Sequence, residues 1–170
     1  EKAIYMAYNT SIRDTMKKRI HKDCTASTIH GWGYSVLIGK HGHIPLIGNR
    51  GEILVENHTG RNFNQLPDKF KWLSTIRYLG HLKEELLEAT EDNFYLLQAK
   101  YPDLAAFPVH SAMVDQAHIL LKAMKRVDRK IGIEYIDQIW NALFELKSPP
   151  KAIGFVDECQ DLSPAKLEFA

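Results

Sequence analysis

A chain of 170 residues, 45% of them apolar, is large enough to bury a core as one domain or as one domain carrying an insertion. Its formal net charge of +1 excludes a globally basic nucleic-acid binder, so any contact with phosphates falls to local patches. Two cysteines, Cys24 and Cys159, are too few for a disulfide scaffold and predict a reduced intracellular protein. No apolar run reaches membrane-spanning length, and the opening Glu-Lys-Ala-Ile-Tyr-Met lacks the basic-then-apolar order of a signal peptide. Without an initiator Met, the chain is expected to begin inside a longer protein.

Ala3 to Tyr8 is a short apolar and aromatic run that predicts a strand. Asn9, Thr10 and Ser11 follow, all favoured as helix N-caps. Ile12, Met16 and Ile20 then recur every four residues, one face of a helix whose other positions include Arg13, Lys17, Lys18 and Arg19. Ala26 to Ile38 reads as a turn leading into a short helix. Ile44–Ile47 and Glu52–Val55 flank Gly48-Asn49-Arg50-Gly51, the pattern of a β-hairpin. His58 to Asp68 is polar and reads as a loop.

Helical spacing dominates from Lys69 to Leu146. Leu79, Leu82 and Leu86 share one face, as do Phe94, Leu97 and Tyr101. Met113, Ala117, Leu120, Met124 and Val127 form another stripe, and Ile136, Ile139, Trp140 and Leu143 a fourth. Pro102, Pro108 and Gly132 mark boundaries. Lys122, Lys125, Arg126, Arg129 and Lys130 make a basic stretch, which reads first as a solvated face and second as a contact for nucleic-acid backbone. Pro149-Pro150 separates the helical block from a last apolar run, Ala152 to Val156.

That run ends abruptly in Asp157-Glu158-Cys159-Gln160-Asp161-Leu162-Ser163-Pro164. Buried strands of parallel sheets read as apolar runs, and ligands of such sheets sit at the carboxyl ends of the strands. A bare Asp-Glu there is more often a cap or a solvated turn. The full run Val-Asp-Glu-x-Gln-Asp-Leu-Ser-Pro is far more specific, and it resembles motif II of the UvrD/Rep-like superfamily 1 DNA helicases. Two more segments resemble that family. Ala7-Tyr8-Asn9-Thr10-Ser11-Ile12-Arg13-Asp14-Thr15-Met16-Lys17-Lys18-Arg19-Ile20 fits motif Ia, with Asn9 and Thr10 in swapped order and Arg13 in place of a small residue. Thr28-Ile29-His30-Gly31-Trp32-Gly33 matches the Thr-x-His-x-x-Gly of motif Ib. The segment around Asp137 fits more weakly.

The resemblance implies an α/β fold: a partial RecA-like parallel sheet with a large, mainly helical insertion. Residues 1–38 and 150–170 would belong to the ATP-binding domain 1A, and residues 39–149 to an inserted 1B-like subdomain. It implies ATP and Mg²⁺ as cofactors, with Asp157 holding Mg²⁺ through water, Glu158 acting on the attacking water and Gln160 contacting the γ-phosphate. Tyr8, Asn9, Thr10, Thr28, His30 and Trp32 would touch DNA. Four of them have a plain alternative: capping for Asn9 or Thr10, a core aromatic for Trp32, a hydrogen-bonded structural histidine for His30. The partners implied are single-stranded and duplex DNA and the remaining helicase domains of a parent chain, with no membrane. The compartment implied is the cytoplasm for a bacterial or phage-encoded protein and the nucleus for a eukaryotic one, in DNA repair or replication.

The Gly-x-x-x-x-Gly-Lys-Ser/Thr phosphate loop is missing from these residues. An internal fragment of a helicase is therefore expected, inactive alone. The rival reading is a non-catalytic nucleic-acid-binding or interaction module that retains the helicase frame. His21, Cys24, His41 and His43 match no standard zinc spacing.

Overall fold

The computed structural model describes residues 2–146, 152–156 and 159–169. The chain divides into two compact units, residues 1–43 with 136–170, and residues 44–135.

The first unit is built on three parallel strands, β1 (Lys2–Ala7), β2 (Thr25–Thr28) and β3 (Ala152–Val156), in the order β2-β1-β3. The expected pairing of the first and last apolar runs is present: Lys2 to Met6 lie opposite Ala152 to Val156, in parallel. As the central strand, β1 carries the most buried positions, Ile4, Met6 and Ala7. Its exit is set by Asn9, whose extended backbone and side chain cap α1 (Thr10–Lys17). No strand is expected from the sequence before the second helix, yet Thr25–Thr28 pairs with β1 from Ile4 to Ala7. Its β-branched threonines suit a strand edge. Thr28 then caps α2 (Ile29–His41), which ends at Gly42 with φ 75°.

Helix α2 tolerates Gly31, Gly33 and Gly39 because tertiary packing, rather than propensity, holds it. Gly33 is the point of contact with α7 (Asp137–Glu145): a Cβ there would stand 2.3 Å from the Gln138 carbonyl oxygen. At the far end of the pair, Glu145 accepts from Lys40 and lies 3.0 Å from His41 Nε2. This packing places α7 with the sheet, so the unit boundaries fall at His43 and Ile136 instead of near 38 and 150. The chain closes in α8 (Pro164–Phe169), anchored by buried Leu162, Ala165 and Phe169.

The second unit is helical. The hairpin expected between Ile44 and Val55 is not formed; α3 (Arg50–Thr59) occupies the second half of that segment. Gly48-Asn49 leads into a helix rather than a turn between strands. Gly51 serves close packing, since a Cβ would lie 2.8 Å from the Ile76 side chain. Leu54 and Val55, adjacent and both buried, fit a helix face and not the alternation of a half-buried strand. The loop expected over 58–68 starts after Thr59 and contains one 3-10 turn, Phe63–Gln65, that buries Phe63.

Helices α4 (Lys69–Glu85), α5 (Glu91–Lys100) and α6 (Met113–Met124) follow the predicted stripes. Tyr78, Leu79, Leu82, Phe94, Leu97 and Leu120 are at most 1% exposed. Leu86 departs from its stripe: it ends α4 in the left-handed region at φ 53° and is 40% exposed. Two buried polar groups are satisfied across elements: Thr75 Oγ1 donates to Gln116 Oε1 at 2.7 Å and Tyr78 Oη to the Phe107 carbonyl at 2.9 Å.

Candidate functional site

Parallel pairing sends all three strands out at one edge of the sheet. Ala7 lies opposite Thr28, and Met6 opposite Val156. The segments that follow, Tyr8–Thr10, Thr28–Trp32 and the residues after Val156, therefore start from a common edge. Ligands of parallel sheets bind at such carboxyl edges.

Two helices begin there. Asn9 Oδ1 accepts from the Ile12 N–H at 3.0 Å, and Thr28 Oγ1 from the Gly31 N–H at 3.0 Å. Asn9 and Thr28, two of the six residues expected to touch DNA, are thus engaged in capping, the alternative stated for Asn9. Capping does not consume the other N–H groups of each first turn, and those, with the positive end of the helix dipole, suit an anion. Thr10 is exposed in the first turn of α1.

Tyr8 is 47% exposed, and Lys166 Nζ stands 5.8 Å from its ring centroid. The same ammonium acts on His30. Burial, and after it the charge of Lys166, hold the His30 pKa down to about 4, so the imidazole is neutral at physiological pH. His30 is only 8% exposed. Its place is the interior of the unit, as a structural histidine, and it offers no cation to a phosphate. Trp32 is half-buried, one turn into α2, with its carbonyl accepting from Ser35 Oγ at 2.6 Å. Gly33, the last residue of the motif, is required by the approach of α7.

Gln160 is exposed in a 3-10 turn, Cys159–Asp161. Asp157 and Glu158 lie outside the described residues. Lys166 is the residue that sequence reasoning missed. It sits on a six-residue helix without a motif, and only the fold brings it to Tyr8 and His30.

Beside the edge, α1 and the sheet enclose a hollow of about 240 Å³ lined by Tyr5, Ile12, Met16 and Phe155 among others. These walls are apolar and suit no phosphate. What the edge offers is an exposed ring next to an ammonium, together with two helix N-termini. An exposed ring is of a type that suits a stacked base, and helix N-termini suit phosphates.

Comparison with family models, with known proteins and with solved structures gave no match. Among the described residues, no group of three or more His, Cys, Asp or Glu side chains is placed to hold a metal ion. Nor is any described helix long and apolar enough to cross a membrane.

Proposed function

We propose that the chain is part of an ATP-driven translocase on single-stranded DNA, the activity implied by its resemblance to UvrD/Rep-like helicases. The observation that carries this reading is the pairing of β1 with β3. It brings the segment resembling motif Ia and the start of the segment resembling motif II to the same edge, although nearly the whole chain separates them. Coupling hydrolysis to movement needs such closeness.

ATP and Mg²⁺ are the groups this reading implies. The described residues fit them in two respects: three parallel strands end together, and Gln160 is exposed beyond the third. When bound, Mg²⁺ offsets the charge of the phosphate oxygens. Asp157 would hold it through water, Glu158 would orient or deprotonate the attacking water, and Gln160 would report the γ-phosphate to the DNA side.

On the DNA side, Tyr8 and Thr10 replace His30 as the favoured contacts. Base stacking on an exposed aromatic ring contributes about 1–3 kcal/mol per base. Tyr8→Ala is therefore expected to weaken binding of a fluorescent oligothymidine by about fivefold or more in an anisotropy titration, with the fold intact. Unchanged binding would remove Tyr8 from the strand path and leave the edge without its base contact.

A further inference from the structure

We propose that residues 122–130 of the second unit form a docking surface for the phosphodiester backbone of nucleic acid. The cations are Lys122, Lys125, Arg126, Arg129 and Lys130, all exposed.

Charge distribution is the first ground. Residues 44–135 contain twelve Lys and Arg and twelve Asp and Glu, so the unit as a whole is balanced. Five of those cations fall within nine residues, alongside a single acid, Asp128. The plain alternative is that they complement the negative end of the α6 dipole. That accounts for Lys122 and Lys125, in and just after the last turn. It does not account for Arg129 and Lys130, because the effect fades within one turn of the helix end.

Construction of the loop is the second ground. Arg50, 1% exposed, donates from Nη2 to the Arg126 carbonyl at 2.8 Å and holds the loop from inside. Asp128 is turned to the backbone, Oδ1 accepting from the Lys130 N–H at 2.8 Å, and the Gly132 N–H donates to the Asp128 carbonyl at 2.8 Å. Gly132 has φ 88°, and a Cβ there would meet the Pro45 carbonyl oxygen at 2.6 Å. Ile133 then exchanges backbone hydrogen bonds with Pro45 and Ile47, each 2.9 Å. A buried guanidinium, an Asx turn and an obligatory glycine thus present the cations on a shaped support, and less ordering entropy is lost when a partner binds.

The choice of partner follows from what accompanies the charges. A membrane-surface binder pairs its cations with exposed apolar side chains. Within 122–130 the exposed side chains are the five cations and Asp128; the exposed apolar neighbours, Ile119, Tyr135 and Leu46 (bridged to Ile133), lie outside the stretch. A stretch whose exposed side chains are all charged matches a repeating phosphate backbone, whose binding is dominated by counterion release. The surface belongs to the second unit and functions whether or not the first takes part in ATP hydrolysis.

The test is anisotropy titration of a 20-base-pair duplex and a 20-nucleotide single strand against the whole chain, from 50 to 200 mM salt. Arg129→Gln with Lys130→Gln is compared with a charge-matched control, Lys69→Gln with Lys71→Gln. The control lies towards the other end of α6, where the Lys71 carbonyl meets His110. The loop variant is expected to lose at least tenfold affinity at 50 mM salt. Its log–log salt slope should fall by about two, one for each phosphate no longer neutralised. Whether duplex or single strand loses more identifies the form that docks. Equal losses in both double variants, or an unchanged slope in the loop variant, would overturn the proposal. So would polyglutamate competing as well as the duplex at equal charge, because the surface would then be one for acidic protein.

Discussion

Tyr5 and Phe155 are register partners on neighbouring parallel strands, and their rings stack with centroids 4.8 Å apart and planes 16° from parallel. The stack ties the first strand of the chain to the last. It also forms one wall of the hollow against α1. Cross-strand aromatic pairs contribute about 0.5–1.5 kcal/mol beyond their buried area. Phe155 is 47% exposed, so truncation costs less than for a fully buried ring. We expect Phe155→Ala to lower unfolding free energy by about 1–2 kcal/mol in urea denaturation. A change within error would mean the stack does not hold β3 in register.

Gly33 closes the segment resembling motif Ib, and its requirement is mechanical. Gly33→Ala would drive a methyl into the Gln138 carbonyl, 2.3 Å from the ideal Cβ position. Backbone on both sides leaves no flexible group to yield. The α2–α7 contact should be forced apart at a cost of about 1–3 kcal/mol or more. Gly39→Ala, with nothing within 4 Å of its Cβ, should be neutral or slightly stabilising. Thermal melts of the two variants side by side check this; equal melting temperatures would contradict the packing described.

His30 gives the first unit an acid-sensitive element. Its folded pKa of about 4 lies below the ordinary 6.5, first through burial and then through Lys166. The unfolded chain therefore takes up the proton more readily. The neutral form's stabilisation is fully present above pH 6.5 and is lost as pH falls towards 4, to a limit of about 3 kcal/mol. His30→Gln should flatten that part of the stability–pH curve, read from urea midpoints between pH 7 and 4. A curve that keeps its full slope would place the acid sensitivity in another group.

The parallel sheet was legible because the first and last runs of the chain are apolar and end in polar residues, as the β1–Asn9 exit shows. The helical stripes from Lys69 onward were legible for the same reason, burial at a 3.6-residue period. Thr25–Thr28 is hidden in the sequence, since four residues with one buried side chain carry almost no periodicity. The Gly48–Gly51 cluster imitates a hairpin turn, whereas Gly51 serves a helix contact with Ile76 that only the tertiary fold reveals. Within the candidate site, the types of Asn9 and Thr28 fit both capping and DNA contact; the hydrogen bonds establish capping. His30 fits both ligand and core, and burial decides for the core. Lys166 has no local signal at all.

Unaccompanied by a phosphate loop, these 170 residues should release no phosphate from ATP, with or without single-stranded DNA. A malachite-green assay on the purified chain and its Glu158→Gln variant checks this. Turnover that disappears in the variant would show that the chain completes an ATP site by itself.

The central claim is tested most directly by phosphate release in the longer protein that would carry this chain, with an oligothymidine present, for the unsubstituted form and Glu158→Gln. Loss of the carboxylate that acts on water, with Asp157 retained, should cut turnover at least 100-fold, on the order of general-base effects, while ATP–Mg²⁺ binding persists. Hydrolysis near the unsubstituted rate, or turnover indifferent to single-stranded DNA, would contradict the assignment.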